Sequence, residues 1–104
     1  MSRSVDDDAT FSSMKYFKKE HNYIMDPHTA VAADAVIRTN NEIKGNTLVL
    51  STAHPAKFPD ALQKSDITLE NIPKRLSDVI NKKEIAKRLG ISDNEVFAYI
   101  RNNN

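Results

Sequence analysis

The run Thr47 to Phe58, TLVLSTAHPAKF, places the tightest limit on how this chain can fold. Leu48, Val49 and Leu50 are consecutive apolar residues with a β-branched centre, the most strand-like stretch in the sequence. A short apolar run bounded by polar residues predicts a buried strand, and on periodicity alone it also fits a buried helix segment. Ser51, Thr52, His54 and Lys57 follow at once, interrupted by Pro55. In α/β proteins, ligands gather beyond the carboxyl ends of strands. The cluster is therefore a candidate site, and an ordinary polar turn after a strand is the plain alternative.

Composition narrows the function classes. The chain has 104 residues, enough for one small domain with a thin core. A hydrophobic content of 39% with 28% charged residues is polar for a folded chain but carries no signature of disorder. The formal net charge of +1 supplies no overall field toward nucleic acid or membrane. Cysteine is absent, which excludes disulfides, thiolate chemistry and cysteine-ligated zinc. Gly45 and Gly90 are the only glycines, too far apart to form a phosphate-cradling loop. The N-terminus, MSRSVDDDAT, has no apolar signal-peptide region, and no run approaches the length of a membrane span, so the cytoplasm is the expected compartment.

Residues 1–9 read as a mobile polar tail. Phe11, Met14 and Phe17 recur at helical spacing and predict a helix to about His21. Asp26-Pro27 is a strong helix start, with aspartate as N-cap and proline in the first turn, and the helix should run to about Arg38. Residues 39–46 form a loop before the predicted strand. A helix of two or three turns follows Pro55, another short one starts near Pro73, and a last one runs from Ser92 to about Arg101. Ser92 and Glu95 have capping-box spacing in that last helix. Asn102 to Asn104 should fray.

Local chemistry is sparse. His21, His28 and His54 do not pair at metal-ligand spacing, and no metal site is expected. Ser51 or Thr52 beside His54 lacks both an orienting third group and the strained elbow of a hydrolase. Asp6 to Asp8 read as a solvated charge run. Residues 84–101 look like a DNA-binding helix-turn-helix: Glu84 to Leu89 as first helix, Gly90 as the turn, Ser92 capping the recognition helix. Lys82, Lys83, Lys87, Arg88 and Arg101 suit phosphate contacts, whereas Asp93 and Glu95 stand where bases would be read.

Two segments together point elsewhere. Asp26 to Val31, DPHTAV, and Leu50 to Phe58, LSTAHPAKF, resemble paired motifs near the C-terminal end of the threonine synthase family, in the same order and at about the same spacing. The closing AYIR helix is also similar. The resemblance spans about residues 20–101, most of this chain but only the last part of a family member. It implies a pyridoxal-phosphate enzyme of the tryptophan-synthase β-like fold type, converting O-phosphohomoserine and water to threonine and phosphate. In that fold type a hydroxyl faces the cofactor's pyridine nitrogen, and the resemblance assigns this role to Thr52. A hydroxyl can donate to an unprotonated ring nitrogen, tuning the electron sink without fixing a charge there. Ser51, His54 and Lys57 fall on the rim of that site.

The resemblance is incomplete. Tyr16-Phe17-Lys18 lacks the serine of the family's Schiff-base lysine motif and sits in the wrong place, and the glycine–asparagine loop for the cofactor phosphate is missing. No catalytic residue is therefore expected in this chain, which should be inactive by itself. The expected fold is an α/β fragment: residues 10–104 as the C-terminal portion of a threonine synthase-like domain, mostly helical with one or two strands. The resemblance makes residues 82–90 a short strand, whereas local propensity favours helix. A separate chain carrying the upstream domains is the implied partner. A small DNA-binding protein and a non-catalytic interaction module are the competing classes.

Overall fold

The computed structural model describes residues 2–40 and 42–103. Residues 1, 41 and 104 belong to the expected tail, the 39–46 loop and the frayed end, and lie outside the described residues. Five α-helices follow in order: α1 (Asp7–His21), α2 (Pro27–Arg38), α3 (Pro59–Lys64), α4 (Lys74–Ile80) and α5 (Asp93–Asn102), with a 3-10 turn at Pro55–Lys57. The fold is mostly helical, and no strand forms among the described residues.

Helix α1 begins earlier than its apolar stripe predicts. Asp6 is its N-cap and accepts from the Ala9 amide at 2.8 Å. Asp7 and Asp8 occupy the first turn, where carboxylates oppose the positive end of the helix dipole. Residues 7–9 are thus helical rather than part of a tail, and the aspartate run is a helix start. Asn22 ends the helix in the left-handed conformation, φ 50°, which asparagine tolerates better than most residues. Asp26 and Pro27 start α2 as their chemistry demands.

The core lies where α1, α2 and α3 meet. Met14 is fully buried against Met25, Ala30, Ala33, Ala61, Leu62 and Ile67. Phe11, Phe17, Ile24, Phe58 and Leu69 pack around that cluster. The alanines let the helices approach closely, but three of the seven buried residues of this cluster are alanine, so the core is thin. Lys15 pairs with Asp66 at 2.7 Å, tying α1 to the turn after α3. Ser13 donates to the buried Asp34 carboxylate at 3.2 Å. Arg38 Nε lies 2.5 Å from the other Asp34 oxygen, an ion pair without hydrogen-bond alignment.

The predicted strand does not form, and residues 46–50 carry no regular structure. Leu48 is 86% exposed and Leu50 70% exposed. A strand is completed by ladder hydrogen bonds to a neighbour, and among the described residues none forms a second strand beside this one. Apolar composition alone could not bury it. The helix expected from Pro55 divides into the 3-10 turn and the short α3, because Pro59 removes an amide in mid-run.

Beyond Ile72 the chain loses its core. No residue of α4 or α5 is buried. Residues 83–90 form neither the helix that propensity favours nor the strand expected from the resemblance, and Ile85 is 98% exposed. Helices this short are marginal without a packing surface. The helix-turn-helix therefore lacks its first helix. Ser92 stands at the N-cap of α5 as expected, without a side-chain capping bond. The radius of gyration is 18.1 Å, against about 13 Å for a compact chain of this length. Deleting residues 82–104 should leave the thermal midpoint of the α1–α3 unit within about 2 °C of the full chain, since nothing buried is lost. Calorimetry on the two chains measures this.

Candidate functional site

The two motifs singled out in the sequence meet in space through one side chain. Asp26, fully buried, caps α2. Its Oδ1 accepts from the His28 amide at 3.0 Å and the Thr29 amide at 3.3 Å. Its Oδ2 accepts from the Thr29 hydroxyl. His28 Nδ1 lies 3.3 Å from the same carboxylate. Burial pushes the Asp26 carboxyl upward, but the Thr29 hydroxyl and amide and the His28 amide and ring together outweigh it. They hold the group below its ordinary value. Asp26 is therefore a buried, ionised and fully engaged cap.

Thr29 Oγ1 carries the connection onward. It accepts from the Thr52 amide at 3.3 Å, across 23 positions of sequence. The LSTAHPAKF segment is thus hung on the first turn of α2 at Thr52. A second contact lies further along, where the His28 and Phe58 rings meet edge-on with centroids 5.0 Å apart. Between these points the chain turns at His54. Its Nδ1 accepts from the Ala56 amide at 3.2 Å, capping the 3-10 turn.

The four predicted site residues are brought to one segment but not to one cavity. Thr52 is exposed, with its backbone held and its side chain on the surface. Ser51 borders an apolar cavity of about 280 Å³ with Phe17, Tyr23, Met25, Thr29 and Val49. Lys57 lines a separate cleft of about 410 Å³ with Phe11, Pro27, His28, Phe58 and Lys64. His54 is engaged in its cap. Thr29 is the residue that sequence reasoning passed over. Its signal was present as a hydroxyl in the first turn after a capping aspartate, but only folding reveals the distant amide it receives.

Comparison with known proteins gives a consistent answer. Residues 29–100 match the family model described as threonine synthase, C-terminal. The threonine synthase of Pseudomonas aeruginosa is 30% identical over 84 residues, covering 80% of this chain and 18% of that protein. The threonine synthase of Schizosaccharomyces pombe is 38% identical over 65 residues, 60% of this chain and 13% of its own length. That of Saccharomyces cerevisiae is 50% identical over 44 residues, 39% and 9% respectively. No solved structure matches. The chain spans less than a fifth of these curated relatives. With a family match over more than half its length and with both motifs joined at Thr29, the chain belongs to the threonine synthase C-terminal family.

Proposed function

We propose that this chain is the carboxyl-terminal portion of a threonine synthase, acting on O-phosphohomoserine and water when completed by the upstream portion of the enzyme. Its contribution is the wall of the site that faces the pyridine nitrogen of pyridoxal phosphate. The observation that carries this reading is the Thr29–Thr52 join, which anchors a backbone and leaves a hydroxyl exposed beside it.

The donor chemistry suits one edge of the cofactor. The Thr52 hydroxyl can donate a hydrogen bond to a ring nitrogen or accept one from a ring N–H, and such a bond contributes about 0.5–1.5 kcal/mol net. When bound, the cofactor supplies the electron sink. Thr52 orients its ring and tunes it. Ser51, His54 and Lys57 shape the rim, His54 by fixing the turn that follows. This chain has no clustered glycines for the phosphate end and no matching lysine motif for the aldehyde end. Those groups belong to a second chain or an upstream segment.

The same reading accounts for the exposed apolar residues. In the completed enzyme the extended segment at Leu48 to Leu50 pairs with a sheet edge of the upstream portion, becoming the strand that it cannot form alone. The test is reconstitution. The 104-residue chain is mixed with a threonine synthase lacking its own carboxyl-terminal portion, with pyridoxal phosphate and O-phosphohomoserine. Threonine and phosphate should appear only in the mixture. Thr52→Val should lower the rate about three- to tenfold, matching one hydrogen bond. A mixture that neither associates nor turns over substrate overturns the proposal. Association without turnover that survives Thr52→Val favours a non-catalytic interaction module instead.

A further inference from the structure

We infer that Thr29 is the positioning residue for Thr52, through a one-way relay from the Asp26 carboxylate to the Thr52 amide. The inference rests on the reading of Thr52 given above and extends it to a residue outside the Leu50–Phe58 motif.

The donor and acceptor inventory fixes the direction of the relay. An ionised carboxylate only accepts, and a backbone amide only donates. The Thr29 hydroxyl has one proton and two lone pairs. Its proton goes to Asp26 Oδ2, so its lone pair faces the Thr52 N–H. Neither bond can reverse while Asp26 is ionised. Asp26 also holds the Thr29 amide, so the hydroxyl is anchored at both its backbone and its proton. A hydroxyl whose proton is held by an anion is a stronger acceptor than a freely rotating one. The Thr52 amide therefore donates to an acceptor fixed by a rigid helix start. A hydroxyl that must meet a ring nitrogen needs its backbone held to within a few tenths of an ångström, and such precision comes from the groups behind it.

Thr29→Val keeps the shape and removes the relay; Thr29→Ser keeps the hydroxyl. Solvent exchange of backbone amides is measured by NMR on the full 104-residue chain. In Thr29→Val the Thr52 amide should exchange about three- to tenfold faster, while the α2 amides of Ala33 to Ile37 change less than that. Thr29→Ser should restore the parent rate at Thr52. A Thr52 rate unchanged in Thr29→Val overturns the relay, as does a uniform rise across α2 and Thr52, which marks loss of a cap alone. If Thr29→Ser fails to restore the rate, the hydroxyl is not the connecting group and the relay also falls. In the reconstituted mixture, Thr52→Val independently reads the assignment of Thr52. A normal rate there with a confirmed relay sinks the cofactor reading and leaves the positioning intact.

Discussion

Replacing Asp26 with alanine is expected to destabilise the α1–α3 unit by about 2–4 kcal/mol. Loss of a helix N-cap costs about 0.5–2 kcal/mol. A further cost arises because the Asp26 side chain is fully buried and the Thr29 hydroxyl loses its acceptor there. An unsatisfied buried polar group costs about 1–3 kcal/mol. Small domains have only about 5–15 kcal/mol in total, so most of the margin of a core this thin is at stake. Asp26→Asn keeps an acceptor and should cost clearly less. The two variants also separate charge from shape. The folded-state value of Asp26 lies below its unfolded value, so the ionised form is the one that stabilises the fold. Its contribution is complete above the unfolded value, about pH 4, and is lost as the pH falls through the folded value. Urea titrations at pH 7 and at pH 3 should show the parent losing stability on acidification and Asp26→Asn losing less. Equal losses in the two chains would remove Asp26 from the acid response.

Met14→Ala is expected to cost about 2–5 kcal/mol, the range for deleting a large buried side chain. Met14 is the largest apolar side chain with no exposure, and it sits at the junction of α1, α2 and α3. Its neighbours Ala30, Ala33 and Ala61 have no length with which to fill the void. Met14→Leu, close in volume, should cost less than about 1.5 kcal/mol. Chemical denaturation of the pair measures the difference. A mild Met14→Ala would show that this junction is not the main source of stability. The same thinness explains why the chain depends on capping bonds. Where apolar burial is small, each polar connection is a larger share of the whole.

The features visible in the sequence are those decided within a few residues. Asp26-Pro27 specifies the start of α2 because the cap, its amides and the proline all lie inside one turn. Ser92 likewise marks the start of α5, by position rather than by a side-chain capping bond. The start of α1 was equally local, since Asp6 caps an amide three positions on. The sequence does not distinguish it, because a run of aspartates also describes a solvated tail. The family motifs were visible because they are strings of residue types.

What the tertiary structure decided are the questions that need a second partner. Leu48 to Leu50 has strand composition, yet without a neighbouring strand its amides have no ladder and Leu48 and Leu50 stay exposed. Residues 83–90 have helix formers and no surface to pack against, so propensity alone did not fold them. In the sequence Thr29 is one more first-turn residue; in the fold its lone pair meets an amide 23 positions away. By itself, the sequence determined the helix caps and the family. The fold decided that the two motifs share one hydroxyl, because a contact between distant segments depends on packing rather than on local bonding.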